Sequence, residues 1–126
     1  MNSTQTILVI DDEASVRRSI HAILDSQFKV VACADGPAAI KFVVDHPGEV
    51  CAAFVDYGMP GMDGNTVCSE LRLVDATISL IGFSGHEEAV FSGPLFARLG
   101  KKHISSEGVL ALAASAVCSA EQRRQP

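Results

Sequence analysis

The chain repeats one pattern along its length: a short apolar run, then a segment with apolar residues at helical spacing. Ile7-Leu8-Val9-Ile10 is a continuous apolar run closed by Asp11 and Asp12, and Val16, Ile20, Ile23 and Leu24 then recur as the inner stripe of a helix of about three turns. A second run covers Phe28 to Ala32. After it, Asp35-Gly36-Pro37 signals a helix start, Ile40, Val43 and Val44 supply an inner face, and His46-Pro47-Gly48 ends the segment. Cys51 to Val55 forms a third run ending at Asp56, followed by a turn-rich stretch, Tyr57 to Met62, and a helix capped by Asp63 that carries Val67, Leu71 and Val74. Ile78 to Phe83 is a fourth run ending at Ser84. A short helix is predicted from His86 to Ser92, broken by Gly93-Pro94, and a fifth strand within Leu95 to Lys101. Ser105 or Ser106 caps a last helix with Val109, Leu112, Ala113, Ala116 and Val117 on one face.

Five strands and five helices in strict alternation predict an α/β fold. Runs without polar interruption suit strands buried on both faces, so the sheet is parallel and covered by helices on each side. The expected strand order is the flavodoxin-like 2-1-3-4-5. The 126 residues, 48% hydrophobic and 20% charged, match one domain spanning 1–126 and exclude a disordered chain. A net charge of -5 argues against broad binding to nucleic acid or an anionic membrane. The N-terminus has no basic segment and its apolar run stops after four residues, so neither a signal peptide nor a membrane span is expected and the location is read as cytoplasmic. Cys33, Cys51, Cys68 and Cys118 form no C-x-x-C pair and no zinc spacing, and are read as small buried hydrophobes. The tail SAEQRRQP is expected to fray.

In an open parallel sheet, ligands bind beyond the carboxyl ends of the strands where the winding reverses. Here that point lies between the first and third strands, so Asp11, Asp12 and Asp56 converge there, Ser84 reaches the same edge, and Lys101 or Lys102 arrives from the fifth strand. Crowded carboxylates need a cation or raised pKa values, and an all-oxygen set without His or Cys favours a hard ion such as Mg²⁺. Asp56, opening a Gly/Pro-rich loop, suits a nucleophile toward a phosphoryl group; Asp11 and Asp12 suit the metal; a hydroxyl and an ammonium suit the oxygens of an acyl phosphate.

The segments IDDE at 10–13, FVDYGMPGMDG at 54–64, GFSG at 82–85 and KHISSEGVLAL at 102–112 resemble, in order, the motifs of two-component response regulator receiver domains. The resemblance implies that Asp56 accepts a phosphoryl group from a histidine kinase or a histidine phosphotransfer protein. It implies that Asp11, Asp12, Asp56 and the backbone carbonyl of Gly58 hold Mg²⁺, and that Ser84 takes the switch hydroxyl position. Lys102 best matches the family lysine, because His103 then falls where the family usually has proline and Ile104 and Leu110 fall on apolar positions. Leu99 then stands where an aromatic switch residue is usual, and the stretch from Ser84 to Lys102 is short.

Such a chain catalyses only its own phosphorylation and dephosphorylation. The resemblance implies a downstream effector, with the face of the fourth helix, fifth strand and fifth helix biased to a second conformation on phosphorylation and also open to homodimer formation. His21, His46 and His86 are read as surface or loop residues, with His86 and Gly58 flanking the pocket. Two other readings remain: a receiver-like binding module that is never phosphorylated, and, ranked last, a small phosphoester hydrolase using Asp56.

Overall fold

Every residue of the first strand, β1 (Thr6–Ile10), is buried, as its uninterrupted apolar run requires. The computed structural model describes residues 5–85 and 91–125. Around β1 stand β2 (Lys29–Cys33), β3 (Val50–Asp56), β4 (Ser79–Ser84) and β5 (Ala97–Gly100), joined through α1 (Ala14–Leu24), α2 (Gly36–Asp45) and α3 (Gly64–Val74); α4 (Ser106–Arg124) follows a single 3-10 turn at Lys101–His103. All pairings are parallel and the order is β2-β1-β3-β4-β5, as expected from the alternation.

Side chains alternate across a strand, so β1 feeds two cores. Leu8 and Ile10 pack with Ala39 and Val43 of α2 and Val67 and Leu71 of α3. Ile7 and Val9 pack with Ile20 and Leu24 of α1 and Val109, Ala113, Val117 and Ala120 of α4. A register shift between Thr6 and Ile7 passes over Cys51, which lets Cys51 and Ala52 both face the α1/α4 core. Three helices start on side-chain caps: Asp35 Oδ1 accepts from the Ala38 N–H, Asp63 Oδ1 from Thr66, and Ser105 Oγ from Gly108. Ser105, rather than Ser106, is therefore the last cap.

One expectation is corrected, one falls mostly outside the described residues, and the fifth strand lies within its expected bounds. Residues 86–90 of the anticipated helix from His86 to Ser92 lie outside the described residues, and Phe91 and Ser92 are not helical, so four α-helices are present among the described residues. The fifth strand is only four residues long with alternate residues exposed, which is why no apolar run announced it. The tail does not fray at SAEQRR: α4 continues to Arg124 because both terminal arginines are anchored. Arg124 donates to the carbonyls of Gly48 and Val50 and to Thr77 Oγ1, and meets Asp75 Oδ2 at 3.2 Å. Arg123 donates to the Thr77 carbonyl and to Ser79 Oγ, which in turn donates to the Ala116 carbonyl. Hydrogen bonds from a charged donor contribute about 1.5–3 kcal/mol each, enough to hold a helix end that local propensity would release. No helix among the described residues is long and apolar enough to cross a membrane.

Candidate acidic site

The carboxyl ends of β1 and β3 bring Asp11, Asp12 and Asp56 together, with one carboxylate oxygen of each within 4.8 Å of the others. Asp11 and Asp56 are buried and Asp12 is exposed. Local hydrogen bonds hold the first acid in place: the Glu13 N–H donates to Asp11 Oδ1, and Arg17 donates to the Asp11 carbonyl at 2.7 Å. The second depends on Gly64. A Cβ there would lie 2.5 Å from the Asp56 carbonyl oxygen and 2.8 Å from Tyr57 Cα, so only glycine lets the start of α3 press against the end of β3.

The ammonium in this cluster belongs to Lys101. Its Nζ lies 2.8 Å from Asp11 Oδ2, 3.2 Å from Asp56 Oδ1 and 3.6 Å from Glu13 Oε1. It also sits 5.2 Å from the centroid of the Phe83 ring. Lys102 is exposed, which corrects its selection from the family pattern. The reason is register. Gly100 pairs with Ser84, so β5 runs out at the same level as Ser84, and the next side chain, Lys101, turns over the acids. Anchoring the motif on His103 displaced the lysine by one position. Glu13, last in the IDDE run, is a further charged neighbour that the sequence reading had not assigned to the site.

Burial, joined by the nearby Asp11 charge, raises the Asp56 pKa above the usual carboxylate value; Lys101 and a hydrogen bond from the Gly58 backbone N–H pull the other way without overcoming them. For Lys101, burial alone would lower the pKa, but its contacts with Asp11 and Asp56 outweigh that and raise it. The cluster contains only carboxylates, and Asp11 Oδ2 is sealed from solvent, with the Lys101 ammonium 2.8 Å away. That donor set fits a hard divalent cation of the Mg²⁺ kind. Ser84 is half-buried at the end of β4, on the same edge. Burial pushes the Cys33 and Cys68 thiols up to about 11, which removes them from nucleophilic or metal chemistry near neutrality.

Comparison with known proteins agrees with this geometry. The profile of the response regulator receiver domain matches residues 7–97. The sensor kinase CckA of Brucella abortus is 32% identical over 93 residues, 73% of this chain and 10% of that protein. The probable transcriptional regulator ycf27 of Porphyridium aerugineum is 44% identical over 70 residues, 54% of this chain and 28% of that protein. The chain thus spans well under a third of the curated relatives it matches. The signal receiver domain of an HD domain-containing protein from Pseudomonas fluorescens has the same fold, with a TM-score of 0.88 over 98% of this chain and 94% of that one at 17% identity. With a parallel sheet of this order, a carboxylate cluster at its switch point and a family match over most of its length, the chain belongs to the response regulator receiver domain family.

Proposed function

We propose that this chain is a phospho-acceptor switch in which the Asp56 carboxylate takes a phosphoryl group from the phosphohistidine of a kinase or phosphotransfer protein. The observation that carries the reading is the meeting of Asp11, Asp12 and Asp56 within 4.8 Å at the ends of β1 and β3. Asp11, Asp12 and Asp56, with the backbone carbonyl of Gly58, would hold Mg²⁺, which when bound offsets charge on the transferring group. An Asp56 oxygen attacks phosphorus, the N–P bond breaks, and its electron pair returns to the departing imidazole. The Lys101 ammonium and the Ser84 hydroxyl donate to the oxygens of the resulting acyl phosphate, which adds about 1.5–2 negative charges to the pocket. The reading assigns Lys101 the role that the family pattern had suggested for Lys102.

On this reading the acyl phosphate is formed and hydrolysed at the chain's own Asp56, with a kinase or phosphotransfer protein upstream and an effector protein downstream in the cytoplasm, and residues 1–126 make up one receiver domain. Self-association remains the other use of the β5 and α4 face. Acetyl phosphate with Mg²⁺ followed by intact-mass and peptide mass spectrometry tests the reading. One added phosphoryl group at Asp56, lost in Asp56→Asn, is the expected result. An unmodified chain at saturating donor would favour the non-phosphorylated binding module instead.

A further inference from the structure

The connection from Phe91 to Phe96 is tied to the acidic site from two directions. Phe91 is buried, and its ring meets that of Tyr57, the residue after Asp56, edge-on at 5.2 Å. The ring fills space left by two glycines: a Cβ at Gly64 or Gly82 would lie 3.0 Å or 2.7 Å from it. The Phe91 carbonyl accepts from Arg98 Nη2 at 3.2 Å. Arg98 stands in β5 opposite Gly82, three residues before Lys101. The contacts therefore close a circuit: Asp56 to Tyr57, Tyr57 to the Phe91 ring, the Phe91 carbonyl to Arg98, and β5 to Lys101, whose ammonium returns to Asp56. The same connection is held on its other side, where Asn65 Oδ1 accepts from the Ser92 N–H and Arg72 donates to the Pro94 carbonyl.

We propose that Arg98 is a positioning residue that latches β5 to the Phe91 carbonyl and so holds the Lys101 ammonium over Asp11 and Asp56, in opposition to an entering divalent cation. The inference rests on the reading of the three acids as a Mg²⁺ site. The ammonium touches oxygens of the same two buried carboxylates that the cation needs. Mg²⁺ demands near-octahedral geometry and retains waters, so the ammonium must yield Asp11. Lys101 has little room to do this by side-chain rotation alone, because it is only 17% exposed and lies against the Phe83 ring. The compliant element is β5, four residues long and hydrogen-bonded to a neighbouring strand on one side only. Releasing the latch therefore favours the loaded site, and loading the site loosens the latch by the same factor.

The chain has one tyrosine, Tyr57, and no tryptophan, so its intrinsic fluorescence reports the site directly. Mg²⁺ is titrated into the full chain and into Arg98→Ala and Arg98→Lys, with far-UV circular dichroism to check folding. Arg98→Ala should bind Mg²⁺ at least threefold more tightly than the parent, and Arg98→Lys, which can still reach a carbonyl, should match the parent. Hydrogen exchange of the peptide covering residues 91–100 should rise on adding Mg²⁺ to the parent, and should already be raised in Arg98→Ala without it. An unchanged or weaker Mg²⁺ affinity in Arg98→Ala overturns the latch while leaving the metal site standing. Absence of any saturable Mg²⁺ response in the parent overturns the site reading itself, and the latch with it.

Discussion

Replacing Lys101 with methionine removes the charge that holds Asp11 and Asp56 together while keeping an apolar stem against Phe83. The side chains of Asp11 and Asp56 are 1% and 7% exposed, so solvent offers little screening once the ammonium is gone. Two unit charges within 4.8 Å repel by about 3 kcal/mol or more at an effective dielectric near 20. Breaking a buried ion pair from one side costs about 3–5 kcal/mol by the same logic. Lys101→Met is therefore expected to lose about 3 kcal/mol in urea unfolding with EDTA at neutral pH, whereas Lys102→Met, at an exposed site, should stay within about 0.5 kcal/mol of the parent. Mg²⁺ at about 100 times its dissociation constant should restore roughly 2.7 kcal/mol to Lys101→Met. The parent should gain less, because its own ammonium has to be displaced. The pH dependence has a definite sign. The Asp56 pKa is already raised by burial and by Asp11, and losing Lys101 raises it further. A raised folded-state pKa contributes stability below the unfolded carboxylate value and loses it as pH rises through the folded one. The Lys101→Met deficit should thus shrink toward acid pH and grow toward neutrality. Equal stability of Lys101→Met and the parent in EDTA, or a loss carried by Lys102→Met, would refute the electrostatic account.

Four further outcomes follow from the same contacts. Asp56→Asn removes a carboxylate whose ionised form burial disfavours, so without Mg²⁺ at neutral pH its melting temperature should exceed the parent's, with the difference vanishing in acid. Arg124→Ala strips hydrogen bonds from the Gly48 and Val50 carbonyls and leaves Asp75 without its arginine; a loss of about 2–4 kcal/mol in chemical denaturation is expected, with faster amide exchange in the last turns of α4. Gly64→Ala places a methyl against the Asp56 carbonyl and Tyr57 Cα, both backbone atoms, and should cost about 1–3 kcal/mol while weakening the Mg²⁺ response of Tyr57 fluorescence. Of the four cysteines only Cys118 is exposed, so a thiol reagent should label one site in the native chain and four in urea; rapid native labelling of Cys33 or Cys68 would contradict the packing around them.

Local rules made much of this protein legible from its residues. Uninterrupted apolar runs announced β1, β3 and β4, helical spacing and caps at Asp35 and Asp63 announced the helices between them, and topology then required Asp11, Asp12 and Asp56 to meet. Those features are legible because each depends on side chains a few residues apart and on a general rule for parallel sheets. Tertiary structure decided the rest. Which lysine enters the pocket depends on the pairing of Gly100 with Ser84, and a slip of one residue turns every strand side chain to the opposite face. The end of α4 is ordered by Gly48, Val50, Asp75 and Thr77, at least 46 residues away in sequence, so a polar tail that is weak by propensity becomes an anchor. The connection into β5 is organised by the Phe91 ring in the space beside Gly64 and Gly82, two glycines on different elements. Periodicity sets which way each segment faces, but the partner it meets there depends on distant segments and their register.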